Sequence, residues 1–233
     1  MPNRSKTHIA DRRVTEWFRR EQARKEQERE LPQPAAHGSV ITISRQYGCG
    51  GHVVAEELAR RLGAPWEVWD KQLIEKIAQN AHVRADMVAA VDERGQGWMA
   101  EVIRRIFNMD ALEALAYRRN LAEVLLAIAH QGSKIILGRG ANFVLEDAFN
   151  IRLRAAEEFR AGEAMKGLGV NHEEALRKVR AIDAERTSFT RSVFGRDIND
   201  PDAYDLVMRT DSLGVEAVVD AIIAAYNRRY RPV

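Results

Sequence analysis

The chain carries a single cysteine, Cys49, so no disulfide can close within it, and that usage fits a reducing compartment. No stretch approaches the roughly 20 apolar residues that a spanning helix needs, and the charged N-terminus lacks the apolar core of a secretory signal. A cytoplasmic protein with no membrane partner is the expectation. A large excess of one charge is also missing. With 36 Lys and Arg against 34 Asp and Glu in 233 residues, a broad nucleic-acid footprint is excluded and only local basic clusters remain open. The six histidines follow neither HExxH nor zinc-finger spacing, so no structural metal is expected. No Ser-His-Asp arrangement, internal repeat or low-complexity tract is recognisable. What is present is a globular composition, 45% hydrophobic and 30% charged.

Residues 4 to 30 are dense in Arg, Lys and Glu, with Val14, Trp17 and Phe18 at helical spacing, and they run into Leu31-Pro32-Gln33-Pro34. The pattern predicts a charged helix and a linker within 1–38. The alternation of acids and bases favours a helix resting on the domain or on a partner chain, self-association included, over a nucleic-acid contact. From residue 40 short Val- and Ile-rich runs alternate with helical segments. Strands are expected at Val40 to Ser44, Trp66 to Trp69, Lys134 to Leu137, Asn150 to Leu153 and Asp205 to Met208. Helices are expected at Gly51 to Leu62, through most of 71–130 with an interruption near Gly95 and Gly97, and at 156–167, 172–188 and Val215 to Tyr226. Strands separated by helices imply crossovers, a parallel sheet, and ligands at the strands' carboxyl ends. Asn171 with Glu174 reads as a helix-start capping box, and Trp66, Trp69, Trp98 and Phe107 as core or pocket wall.

One turn carries chemistry. From Ile41 to Val54 the chain passes from strand to helix through Gly48, Gly50 and Gly51. Glycine allows the positive backbone dihedrals of an anion-binding nest and lets main-chain amides approach phosphate oxygens. The following helix adds the positive end of its dipole. Ser44, Arg45, Gly48, Cys49, Gly50, Gly51, His52 and Val53 are therefore candidate phosphate-binding residues. Against the P-loop pattern GxxxxGK[ST], Arg45 stands in place of the first glycine, Gly51 of the lysine and His52 of the hydroxyl residue.

The chain resembles the cytidylate kinase-like family of P-loop proteins over about residues 40–228. The likeness rests on Ser44-Arg45-Gln46-Tyr47-Gly48-Cys49-Gly50-Gly51-His52, Trp69-Asp70-Lys71-Gln72-Leu73-Ile74 and Gly138-Arg139-Gly140-Ala141-Asn142. It continues through Glu158-Phe159-Arg160, the pair Asp183 and Arg186, and the run from Asp200 to Val207. The resemblance implies an α/β P-loop NTPase-type fold of three layers, α/β/α, around a parallel five-stranded sheet. It implies a domain over 39–233 with a helical acceptor region at about 70–130 and a lid at about 155–200. It also implies an ATP-dependent phosphotransferase for a nucleoside monophosphate, with magnesium bridging the phosphates. A catalytically weak nucleotide-binding regulatory protein is the alternative.

Phosphoryl transfer asks for positioning and positive charge around the moving group. Arg45 is the candidate to replace the lysine, its other role being a salt bridge within the loop, and Arg160 and Arg191 are the candidate lid arginines. Asp70, Arg139, Asn142, Asp183 and Arg186 are the candidate acceptor contacts. Asp70 is equally readable as the N-cap of the helix from Lys71, and Asp183 with Arg186 as a surface ion pair. Ser44 is read as a backbone cap with a magnesium contact as its second role, and Cys49 as a small residue inside the turn. Where the resembled kinases carry an aspartate after Gly-Arg, this chain has Gly140.

Overall fold

The computed structural model describes residues 13–22, 40–106 and 114–230. Residues 13–22 form helix α1. There follow β1 (Val40–Arg45), α2 (Gly51–Leu62), β2 (Glu67–Asp70), α3 (Lys71–Gln79), α4 (Ala81–Ala90), α5 (Glu93–Ile106) and α6 (Ala114–His130). The chain continues with β3 (Lys134–Leu137), α7 (Ala141–Val144), β4 (Phe149–Arg154), α8 (Glu157–Leu168), α9 (His172–Phe194), β5 (Leu206–Arg209) and α10 (Thr210–Tyr230). The Pro-containing linker at 31–34 and Phe107 lie outside the described residues. Two compact units result, one made of residues 1–36 and 72–132, the other of 37–71 and 133–233.

The second unit holds a five-stranded sheet of order β2-β3-β1-β4-β5, parallel at every pairing. Because in-register neighbours of a parallel sheet share a face, the strand alternation sorts the side chains into two sets. Ile41, Ile43, Ile135, Leu137, Phe149, Ile151 and Leu153 form one face, on which Val54, Ala55 and Leu58 of α2 and Val218, Val219, Ile222 and Tyr226 of α10 pack. The other face is more polar. Thr42 there donates to Asn150 Oδ1 at 2.5 Å, and Asn150 Nδ2 donates to the Leu145 and Glu146 carbonyls. Lys134, 2% exposed, is satisfied by Glu67 of the adjacent strand at 3.1 Å. Helices α8 and α9 close on each other through Ala161, Ala164, Ala175 and Val179, with Tyr47 against them. The cap forms where the sequence places it, Asn171 Oδ1 accepting from the Glu174 amide at 2.9 Å.

The first unit is helical. The centre of α6 is buried at Leu121, Ala122 and from Val124 to Ile128, with Glu123 half-buried between them and paired with Arg84 and Arg119. Gly95 and Gly97 interrupt nothing. Helix α5 runs through both, and the breaks fall at Asn80, which caps α4, and at Val91 and Asp92. Gly95 is glycine because a Cβ there would meet His130 Cε1 and Val91 Cγ1 at 2.5 Å, so its role is close packing against α6. Helix α1 rests on this unit. Trp17 is 1% exposed, its ring stands edge-on to Phe18 at 5.1 Å, and its carbonyl accepts from Gln131 Nε2 at 2.9 Å. A buried tryptophan replaced by alanine costs about 3–5 kcal/mol. Trp17→Ala should therefore lower the denaturant midpoint by that order in equilibrium unfolding. A surface helix making no packing contribution would leave the midpoint unchanged.

Candidate phosphate site

Strand β1 delivers Arg45 to the carboxyl edge of the sheet, and the loop after it is held by neighbours rather than by itself. The Gln46 amide donates to the Leu153 carbonyl at 3.1 Å, and Gln46 Oε1 accepts from the Ala155 amide. The Tyr47 amide donates to Asp183 Oδ1 at 2.8 Å, and Thr210 Oγ1 donates to the Cys49 carbonyl at 2.8 Å. Gly48 and Gly50 take the left-handed region at φ 79° and 73°, which bends the chain into the first turn of α2. Among the described residues, the amides of Gly48, Cys49, Gly50, His52 and Val53 make no hydrogen bond. A string of unengaged amides at a helix N-terminus is an anion cradle. Cys49 is 1% exposed, and burial pushes its thiol pKa up, so it is a packing residue there.

Around this loop the positive charge exceeds the negative. Arg45 is half-buried, and desolvation, with Arg186 next in weight, lowers its pKa to about 9. Arg152, from β4, is 5% exposed and bonded only to neutral groups, Ser44 Oγ at 2.8 Å and Asn199 Oδ1 at 3.2 Å. Burial also lowers the pKa of Arg152 and of Arg186. Arg186 donates to the Arg45 carbonyl at 2.7 Å and lies 3.9 Å from Asp183. Arg45 and Arg186, with Lys71, Arg139, Asn142 and Glu185, border a cavity of about 60 Å³ at the ends of β1 and β3. A buried cation without a full partner costs several kcal/mol unless something answers it.

Asp183 and Arg186 share a face of α9 at 3.9 Å, as their spacing predicts, but the nearer partners of Asp183 are Tyr47 and Arg160. Asp183 binds the Tyr47 amide with one oxygen and Arg160 with the other, at 2.5 Å. Arg160, 5% exposed, also donates to the Ala155 and Tyr47 carbonyls. The pair clamps the loop from behind. Arg191 is exposed near the end of α9 and does not line the cavity, while His52 is exposed and 3.1 Å from Glu56. Val53 is exposed, and Asp70 ends β2 directly before Lys71. Ser44 is unsuited to hold magnesium, since its oxygen accepts from the Arg152 cation. Among the described residues, no three His, Cys, Asp or Glu side chains come together to hold a metal ion.

Beyond β3, Gly138, Arg139 and Gly140 are all left-handed, at φ 89°, 54° and 64°. For arginine this is a strained backbone, of the kind that is retained at ligand sites. Its guanidinium stands 4.8 Å over the Phe189 ring. Asn142 is 6% exposed, and its Nδ2 makes no hydrogen bond of normal geometry among the described residues. A Cβ at Gly140 would lie 2.1 Å from Phe194 Cε2, so the space of the missing aspartate is taken by an aromatic ring. Arg152, Phe189 and Phe194 were not singled out from the sequence, and Lys71 was named there only within the run that carries the resemblance. A charged residue inside a β-strand, as Arg152 is, was the one available signal.

A parallel five-stranded α/β protein with an amide-lined, arginine-rich turn after its first strand is the class that fold and site define. Residues 40–212 match the cytidylate kinase-like family, and the chain belongs to it. It is 24% identical over 189 residues to a cytidylate kinase of Pyrococcus horikoshii, across 81% of this chain and 88% of that one. It is 28% identical over 189 residues to a cytidylate kinase of Methanothrix thermoacetophila, across 80% of this chain and 98% of that one. A crystal structure of an uncharacterized protein from Eubacterium ventriosum shares the fold, with TM-score 0.58 and 19% identity over 81% of this chain and 98% of that one.

The clamp makes a distinct prediction. Removing one partner of a buried ion pair costs about 3 kcal/mol or more. Asp183→Ala should therefore destabilise the second unit by that order and weaken pyrophosphate binding, as read by denaturation and calorimetry. A residue serving only to touch an acceptor would leave the unfolding midpoint where it was.

Proposed function

We propose that the chain is an ATP-dependent phosphotransferase whose acceptor is a nucleoside monophosphate. The observation that carries this reading is the under-compensated positive charge of the half-buried Arg45 and Arg186 and the buried Arg152 beside unengaged loop amides. That arrangement suits a polyanion with several oxygens, and family membership supplies the reaction class.

In this reading the amides of Gly48, Cys49, Gly50, His52 and Val53 hold the donor phosphates and Arg45 supplies the charge that a lysine supplies in GxxxxGK[ST]. Arg139, Asn142 and Arg186 border the cavity where the acceptor's phosphate sits, and Asp70 and Lys71 stand at the neighbouring strand end. The bond from the γ-phosphorus to the β–γ bridging oxygen breaks while one forms to an acceptor phosphate oxygen. The electron pair leaves with ADP. Guanidinium groups already held in place stabilise the charge on the transferring oxygens without reorganising, which is the main catalytic term for this chemistry. Asp183 and Arg160 act through Tyr47 as positioning residues. Arg191, exposed on the same helical hairpin, is the arginine free to approach when residues 155–200 serve as a lid, with 70–130 as the acceptor region. Magnesium would arrive with the nucleotide and would screen the charge of its phosphates.

The second reading, a nucleotide-binding regulatory protein with little turnover, is favoured by the absence of a side chain at Gly51 and of a hydroxyl at His52. One experiment separates the two: purified protein with Mg-ATP and a panel of CMP, dCMP, UMP, AMP and GMP, scored by ADP formation. Transfer to one acceptor is the expected result, and ATP binding with no transfer across the panel would establish the regulatory reading. Loss of a preorganised charge donor typically costs about a hundredfold in rate. Arg45→Ala should show a loss of that order in kcat, and unchanged turnover would remove Arg45 from the mechanism.

A further inference from the structure

Gly51 has no conformational reason to be glycine. It is the first residue of α2, its φ is not positive, and that position of a helix accepts almost any side chain. Its environment supplies the reason. A Cβ built on Gly51 would lie 2.8 Å from Arg45 Cγ and 3.1 Å from Arg45 Cβ. The arginine stem therefore fills the volume from which a side chain at 51 would start. Further along, a Cβ at Gly138 would lie 2.1 Å from Arg45 Nη1. The stem runs along one glycine and the guanidinium lies on the other. Gly138, at φ 89°, is obliged to be glycine by its backbone in any case, so Gly51 is the informative member of the pair.

We propose that Gly51 is a positioning residue for Arg45: by giving up its own side chain it opens the channel in which the arginine lies. Arg45 and Gly51 are then one exchange rather than two unrelated losses. The pattern glycine first, lysine later becomes arginine first, glycine later, because the two side chains compete for one space. This inference rests on the reading that the loop holds the donor phosphates, and it adds that the identity of residue 51 matters only while an arginine occupies 45.

A double-mutant cycle tests it on the full chain, with wild type, Gly51→Ala, Arg45→Ala and the double variant. Each is titrated with pyrophosphate and with ATP by calorimetry and melted without ligand. Gly51→Ala should weaken both ligands at least tenfold and lower Tm in the wild-type background. In the Arg45→Ala background the same methyl should change affinity less than twofold and leave Tm unchanged. Equal effects of Gly51→Ala in the two backgrounds, or none in either, would overturn the inference. The melting cycle reads the steric coupling without ligand, so a wild type that binds neither pyrophosphate nor ATP would sink the donor-site reading alone. Gly51→Ala still decides the role of Gly51 in that case.

Discussion

Desolvated arginine governs this molecule. The carboxyl edge of a parallel sheet gathers the half-buried Arg45 and Arg186 and the buried Arg152 within one small region, and Asp183 does not balance them. Asp183 is already divided between Arg160 and the Tyr47 amide, and it reaches Arg186 only at 3.9 Å. Arg152 has neutral oxygens for partners. The depression of Arg45 to about 9 measures how poorly its surroundings tolerate the charge, although a guanidinium remains protonated at neutral pH. A fold that maintains such a deficit sacrifices stability at a place where an anion would restore it.

The rest of the second unit holds that region rigid. Strand β1 supplies Arg45, paired with Leu153, and β4 supplies Arg152, paired with Ser44, so sheet register fixes both cations one residue apart, and α2 and α10 cover the apolar face. The hairpin of α8 and α9 contributes the clamp of Arg160 and Asp183 on Tyr47. A Cβ on Gly48 would come 2.6 Å from the Arg160 carbonyl, so the hairpin's backbone lies directly against the loop. Loop shape and hairpin position are thus coupled, and a shift of one is felt by the other.

Much of the architecture was legible because parallel strands buried on both faces read as short apolar runs. Lys134–Leu137 and Gly51–Leu62 have the bounds that pattern and caps assign, and the other strands agree within one or two residues. The sequence misled at Gly95 and Gly97, where glycine usually marks a break but at Gly95 answers a tertiary contact with His130 that no local pattern contains. At the site, the loop glycines and Arg45 were readable from spacing. The stations of Asp183 and Arg160 were not, since helical spacing fixes a face and not its partner, and Tyr47 lies 136 residues from Asp183. Arg152 was hidden for the same reason, its partners Ser44 and Asn199 being remote in the chain.

The exchange at Gly51 has a counterpart across the cavity. At Gly140 the backbone is left-handed and Phe194 occupies the space of any side chain, so the aspartate of the resembled kinases cannot be restored without displacing that ring. Phe143, Phe189 and Phe194 lie close together there, with ring centroids 5.8 and 6.2 Å apart for the two pairs that include Phe194, and Arg139 stacks on Phe189. Cation–π attraction to that aromatic face holds the plane of the guanidinium. On both sides of the cavity, then, a polar side chain of the standard pattern has given way to a glycine, and a neighbour has moved into the vacated space. At Gly51 the occupant is the Arg45 stem and at Gly140 it is the Phe194 ring, so no carboxylate stands at 140 beside Arg139.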